Sequence, residues 1–274
     1  GKLIKATKAK LHVLSHSLHF GSAVFEGIRV YNGKSFKLKE HINRLIESAK
    51  LVGIEIPFSK NKIINSCKRL IRKQKLDGGY LRPIVWRGGQ SMAPTPNKSK
   101  INIAIAGWNW PVYYSKKSKL KGIRLNVSKW RRPPNECAPT QSKCSSLYTI
   151  CTLAKINSEQ KKFDDALMLD LKNNICETTS SNIFFIKKKK VYTPKADCFL
   201  NGITRKEVIK ICKKNKFVIH EIKIPFKNLS NYESCFVTGT AAEITPVKSI
   251  NSIKFKNDNF ILNKIINEFE KIIS

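Results

Sequence analysis

The residues best suited to chemistry are a lysine, a tyrosine, a glutamate and two glycine-threonine turns. Lys143 lies in Thr140-Gln141-Ser142-Lys143-Cys144-Ser145-Ser146, and apolar positions at helical spacing follow it, with Tyr148 in the first turns. Glu177 sits in Cys176-Glu177-Thr178-Thr179-Ser180-Ser181, a turn-like polar segment before an apolar strand. Gly202-Ile203-Thr204 leads into a helix, and Gly239-Thr240-Ala241 follows an apolar strand. A lysine amine can condense with an aldehyde to a Schiff base and then shuttle a proton. A carboxylate can keep a pyridine nitrogen protonated, which makes the ring the better electron sink. N–H groups at a helix start or a close turn hold a phosphate, usually with an arginine. Together these are the demands of pyridoxal phosphate. Singly, each has a plain reading as a surface lysine, a loop carboxylate, a helix cap or a tight turn.

Three further residues extend the set. Arg44 stands on a helix beginning near Glu40, where spacing alone reads as a surface arginine. Tyr80 and Arg82 alternate with Leu81 along a strand and so point to one face, which suits a carboxylate-bearing substrate or, equally, a strand edge. His12, His16, His19, His41 and His220 have no metal spacing with carboxylates and read as structural. None of the eight cysteines falls in a Cys-x-x-Cys pair or a zinc-like Cys/His cluster, so reduced, mostly buried thiols of a cytoplasmic protein are expected, with no metal.

The elements that must position these residues alternate between strand and helix. Phe36-Lys37-Leu38 ends a strand region after the Asn32-Gly33 turn. Ile42, Leu45, Ile46 and Ala49 predict a helix closed by Gly53, and Ser59 caps a second helix bearing Ile63, Ile64, Cys67, Leu70 and Ile71. Strands are expected at 80–86, 101–106, 123–127, 166–169, 182–186 and 234–237, a helix from Thr204, and a closing amphipathic helix carrying Ile261, Leu262, Ile265 and Phe269. Lys187 to Lys190, between two apolar stretches, reads as a hairpin tip. The polar, lysine-rich stretch at 110–121 reads as a linker, so the expectation is a mixed α/β (α+β) protein with a small α/β domain at 1–109 and a large domain at 122–274 that carries Lys143.

Composition bounds the function classes. A chain of 274 residues with 41% hydrophobic content folds a sizeable core. No apolar run approaches the ~20 residues of a membrane span, and no secretory signal is visible in the opening residues. The net charge of +33 is what a nucleic-acid-binding surface would show. Only ten of the 52 basic residues are Arg, however, the side chain favoured for bidentate phosphate and base recognition, and the lysines are scattered. The charge reads as solvated surface, and nucleic acid is not the expected partner.

Five segments in order carry a family resemblance: Gly21-Ser22-Ala23-Val24-Phe25-Glu26-Gly27-Ile28-Arg29, His41-Ile42-Asn43-Arg44-Leu45, Tyr80-Leu81-Arg82-Pro83, Gly202-Ile203-Thr204-Arg205, and Gly239-Thr240-Ala241-Ala242-Glu243-Ile244-Thr245-Pro246-Val247. Together they resemble the branched-chain amino acid aminotransferases, fold-type-IV pyridoxal phosphate enzymes, over nearly the whole chain. The resemblance implies the cofactor between the two domains, with Lys143 bonding it, Glu177 facing the pyridine nitrogen and Tyr148 bonding the ring hydroxyl. It implies Arg44, Ile203, Thr204 and Thr240 as the phosphate cradle, and Phe25, Tyr80, Trp110 and Tyr113 as the side-chain pocket. Arg82 would receive the distal carboxylate of glutamate, and the N–H groups of Thr240 and Ala241 the α-carboxylate. Phe20 departs from relatives that often carry Tyr there, and Cys144-Ser145-Ser146 is less glycine-rich than in many relatives. The implied partners are leucine, isoleucine or valine with 2-oxoglutarate, in a homodimer or a larger assembly of dimers. D-amino acid aminotransferases and aminodeoxychorismate lyases share the fold. Tyr80-x-Arg82 with Gly239-Thr240-Ala241 favours the branched-chain group over both.

Overall fold

The structure, a computed structural model, describes residues 1–89, 93–96, 99–110 and 113–274, and for residues 116–118 the backbone alone. Pro111 and Val112 of the expected linker lie outside the described residues. The chain divides into two compact units: Gly1–Pro111 with Gln141–Leu147, and Val112–Thr140 with Tyr148–Ser274.

The first unit runs through α1 (His16–Phe20), β1 (Val24–Phe25), β2 (Ile28–Tyr31), β3 (Lys34–Ser35), α2 (Leu38–Leu51), α3 (Lys60–Gln74), β4 (Gly79–Arg87) and β5 (Ile101–Asn109). All its strand pairs are antiparallel. β4 pairs with β5 from Gly79↔Asn109 to Arg87↔Ile101, while its other edge is shared by β2, at Gly79 to Leu81, and β1, at Ile84 and Val85. β1 and β2 therefore lie end to end, interrupted at Glu26-Gly27. Alternation sends Ile28, Val30 and Leu81 into a core with Ile42, Ile63, Ile64, Cys67 and Ile71 of the two long helices. Arg29, Tyr80 and Arg82 take the opposite face.

The second unit contains α4 (Lys116–Lys121), β6 (Ile123–Arg131), α5 (Tyr148–Gln160), β7 (Asp165–Leu169), β8 (Ile175–Thr178), β9 (Asn182–Lys187), β10 (Lys190–Pro194), α6 (Ile203–Lys214), β11 (Ile219–Ile222), β12 (Ser234–Gly239), β13 (Glu243–Ile250), β14 (Ile253–Lys254) and α7 (Phe260–Ile273). Its sheet runs β11-β10-β9-β12-β13-β6-β7-β8, and β8 also bridges β9 through Glu177↔Asn182, closing six strands on themselves. Leu125, Leu167, Ile183, Phe185, Val237 and Val247 belong to its core, while the alternate residues Phe184 and Phe236 stack with ring centroids 5.0 Å apart.

Several local expectations differ from what forms. The strand after Asn32-Gly33 ends at Ser35: Lys37, at φ +51°, turns the chain, and Leu38 opens α2 with its side chain buried. Glu177 is in strand β8 rather than a polar turn, because ladder bonds to β7 extend the backbone in spite of the Thr and Ser content. The linker reading assigns Lys143 to the larger C-terminal domain, yet Gln141–Leu147 belongs to the first unit while the flanking chain belongs to the second. Ser59 does cap α3, its side chain accepting from the Lys62 N–H. The lysine run does form a hairpin tip, with Lys188 and Lys189 both left-handed between the paired Lys187 and Lys190.

Candidate active site

Lys143 is fixed by its backbone. Its N–H donates to Ser48 Oγ (2.9 Å), its carbonyl accepts from the Phe25 N–H (3.1 Å), and the Ser145 N–H donates to the Ala23 carbonyl (2.8 Å). Cys144 makes an antiparallel bridge with Val24. These bonds draw the segment onto the end of β1. The amine lies 4.9 Å from the Phe25 ring centroid. Burial, then the nearby Arg44 guanidinium, lowers its pKa from 10.5 to about 8.

Arg44 leads to a residue that sequence reasoning missed. Glu26, at the break between β1 and β2, is fully buried. Its carboxylate accepts from Arg44 Nε (2.6 Å) and Nη2 (3.0 Å), from His41 Nδ1 (2.6 Å) and from the Gly27 N–H (3.1 Å). Burial alone would raise this carboxyl, but Arg44 and His41 outweigh it and hold it well below the usual range. Burial lowers the pKa of His41 in spite of Glu26, whose carboxylate lies within hydrogen-bonding distance of its Nδ1. The available signal was Glu26 in Phe25-Glu26-Gly27 together with His41 and Arg44 three apart on one helix face.

The face of β4 away from the helices collects most of the expected pocket. Tyr80 meets Trp110 edge-on, with centroids 4.5 Å apart, and Arg29 Nη1 donates to the Trp110 carbonyl (2.9 Å). Trp108, also missed, lies opposite Tyr80 on β5 with centroids 5.4 Å apart. The Arg82 guanidinium sits 4.8 Å from the Phe25 ring centroid and 5.6 Å from that of Tyr80, and its Nε is buried with no hydrogen-bond partner among the described residues. A Cβ at Gly27 would overlap the Tyr80 hydroxyl, so glycine is what admits this side chain. Tyr113 belongs to the second unit, where it packs edge-on against Tyr114.

In the second unit Glu177 is buried, its Oε1 3.5 Å from Arg132 Nε and its Oε2 accepting from Asn182 Nδ2 (3.4 Å). Asn182 also accepts from the Gly202 N–H (3.1 Å) and donates to the Leu200 carbonyl (3.0 Å). One amide thus ties the carboxylate to the start of α6. No side chain caps that helix, and the N–H groups of Ile203 and Thr204 belong to its first turn, where helices leave donors for anions. A Cβ at Gly202 would overlap Asn182 Oδ1. Tyr148 opens α5, while Gly239, Thr240 and Ala241 turn the chain from β12 to β13. Arg132 and Asn182 were not singled out from the sequence, because neither sits in a distinctive motif. Among the described residues no group of three or more His, Cys, Asp or Glu is placed to hold a metal, and no helix is long and apolar enough to cross a membrane.

Comparison with known proteins gives a consistent pattern. The family described as amino-transferase class IV matches residues 23–250. A probable branched-chain-amino-acid aminotransferase of Rickettsia felis is 39% identical over 277 residues, covering 100% of this chain and 94% of that protein. The crystal structure of the Escherichia coli branched-chain amino acid aminotransferase superposes with a TM-score of 0.96 at 30% identity, covering 100% of this chain and 93% of that one. A crystal structure of the T.th. branched-chain amino acid aminotransferase with pyridoxamine 5'-phosphate gives 0.94 at 31% identity, covering 98% of this chain and 91% of that one.

Proposed function

This chain belongs to the class IV amino-transferase family, and from that premise we propose that it transfers the amino group of a branched-chain L-amino acid (leucine, isoleucine or valine) to 2-oxoglutarate, giving the 2-oxo acid and L-glutamate. The cofactor is pyridoxal phosphate. The residues present fit it: a lysine amine of lowered pKa, a buried carboxylate backed by an arginine, and an uncapped helix start. When bound, it supplies an electrophilic aldehyde and a ring that takes up the electron pair released at the substrate α-carbon.

The observation that carries this reading is the Lys143 amine. With a pKa of about 8, roughly a tenth of it is neutral at pH 7, against about one part in 3,000 for an ordinary lysine. It can therefore act as nucleophile and then carry the α-proton. With the cofactor bound, Glu177 would accept from the protonated ring nitrogen and Tyr148 would bond the ring oxygen. Arg44, the N–H groups of Ile203 and Thr204, and Thr240 would hold the phosphate. Phe25, Tyr80, Trp110 and Tyr113 form the apolar pocket for an isobutyl-sized side chain. Arg82, whose buried Nε lacks a hydrogen-bond partner among the described residues, receives the distal carboxylate of glutamate, and the N–H groups of Thr240 and Ala241 take the α-carboxylate. The enzyme works in the cytoplasm as a homodimer or an assembly of dimers.

The test is spectroscopic and catalytic. Purified protein should show the long-wavelength absorbance of lysine-bound cofactor, and Lys143→Ala should abolish it along with transamination. Glutamate should form from L-leucine with 2-oxoglutarate. Formation only from D-alanine would reassign the chain to the D-amino acid group. DNA binding with a steep salt dependence and no bound cofactor would overturn the enzymatic reading altogether.

A further inference from the structure

Glu26 and His41 have no role in the reaction above, yet with Arg44 they form a buried, charge-assisted cluster in the first unit. The Glu26 carboxylate is fully buried, His41 is 1% exposed, and the Arg44 side chain, 15% exposed, turns its Nε/Nη2 edge into them. The cluster occupies the interruption between β1 and β2, where the Glu26 N–H donates to the Pro83 carbonyl (2.8 Å) and the Gly27 N–H turns onto the Glu26 carboxylate. The fold gains little stability from such an arrangement, because burying an ion pair usually does no better than apolar packing. What it does gain is a guanidinium with fixed orientation. Arginine is rich in rotamers, and an arginine already ordered before binding loses less entropy when it takes up a ligand.

We propose that Glu26 and His41 are positioning residues for phosphate recognition: they clamp the Arg44 guanidinium side-on, so that it meets the cofactor phosphate already in its bound orientation. The proposal rests on the reading of Arg44 as a phosphate ligand. The clamp is specific in its geometry. Two parallel N–H···O bonds fix the guanidinium plane, and the His41 Nδ1–H fixes the carboxylate that receives them. The effect of the clamp therefore depends on the ligand having a phosphate.

That dependence is the test. Full-length protein freed of cofactor is titrated with pyridoxal phosphate and, separately, with pyridoxal, which has the same ring and aldehyde without the phosphate. Glu26→Gln keeps the shape but turns an amide donor toward the N–H groups of Arg44 and His41. Pyridoxal phosphate affinity should fall by about tenfold or more, the worth of a hydrogen bond to a charged group, while pyridoxal affinity stays within about twofold. In an Arg44→Ala background, Glu26→Gln should add nothing. Equal weakening of both ligands would reduce the cluster to a structural role, and unchanged pyridoxal phosphate affinity would remove the clamp; either result overturns the proposal. If Glu26→Gln does not fold, His41→Phe decides by the same criteria, with a several-fold loss expected for pyridoxal phosphate alone. Wild-type protein that binds no pyridoxal phosphate would sink the cofactor reading itself. Wild-type binding that Arg44→Ala leaves intact would remove only the arginine's assignment, and the clamp with it.

Discussion

Each unit of this molecule buries a glutamate beside an arginine, and the two pairs are built differently. Glu26 in the first unit is held by contacts of 2.6 to 3.1 Å from two side chains and a backbone N–H, and its side chain is wholly inaccessible. Glu177 in the second unit meets Arg132 and Asn182 at 3.5 and 3.4 Å, at the long limit of hydrogen bonding, and its side chain keeps 11% of its surface. An incoming cationic N–H can compete with contacts of 3.4 to 3.5 Å, but not with charge-assisted bonds of 2.6 Å. The first carboxylate is committed to the arginine it holds, and the second is the one proposed above to meet a ligand. Burial beside an arginine does not by itself mark a reacting group.

The largest effect that would sharpen this contrast is on stability. Glu26→Ala leaves Arg44 and His41 facing a cavity and should cost about 3 kcal/mol or more in chemical denaturation, whereas Glu177→Ala should cost distinctly less. The pH profile carries the same signature. The Glu26 carboxyl is held far below its ordinary 4.5, so below that pH the unfolded chain takes up a proton that the folded protein refuses. Wild-type stability should therefore be complete above pH 4.5 and decline as acid is added, with a flatter decline in Glu26→Gln. Equal acid profiles would break the comparison.

Next comes catalysis. Glu177→Gln should lower kcat about 100-fold, the loss typical of removing one preorganised electrostatic group, while Glu26→Gln should act chiefly on cofactor affinity. Matching kcat losses would mean that both carboxylates face the chemistry. A smaller effect concerns Lys143, whose ammonium is disfavoured by burial and by Arg44. Acylation of that amine by a lysine-directed reagent in cofactor-free protein should rise through a midpoint near pH 8. Because the folded pKa lies below the unfolded one, stability should rise with pH between about 8 and 10.5. The smallest effect concerns the β9–β10 hairpin tip. Lys189→Gly relieves a left-handed lysine (φ +62°) at the hairpin tip and should stabilise the protein by up to about 1 kcal/mol without changing activity.

Much of this was legible in the sequence, for reasons that differ by residue. The helices after Glu40 and Ser59 have a 3.6-residue apolar period, and the strand at Tyr80 has a two-residue one, so both appear in a single chain read alone. Arg44 and the two glycine-threonine turns stand in the segments that carry the resemblance, and Lys143 stands out through Tyr148, Glu177 and those turns downstream of it. Arg132 and Asn182 do not. Arg132 comes beside Glu177 because β6, β7 and β8 share a sheet, a non-local arrangement that no spacing reveals. Asn182, five residues from Glu177, does so because β8 and β9 bridge at that pair. Glu26 was visible within a motif and still passed over, because its partners lie 15 and 18 residues away on another element. Glu177 reads as part of a polar turn for a related reason: local Thr and Ser content opposes an extended backbone that the pairing with β7 imposes.

The short segment Gln141–Leu147 has a consequence for anyone who would take the molecule apart. The chain leaves the first unit after residue 111, returns for seven residues and leaves again. A protease cut or gene split near position 111 would put Lys143 on one fragment and its anchors, Ser48, Val24 and Ala23, on the other. Neither fragment alone would carry a correctly seated lysine. Mixing the two halves should restore it only when they reassemble, which makes recovery of the Lys143-dependent absorbance a direct reporter for split-protein complementation.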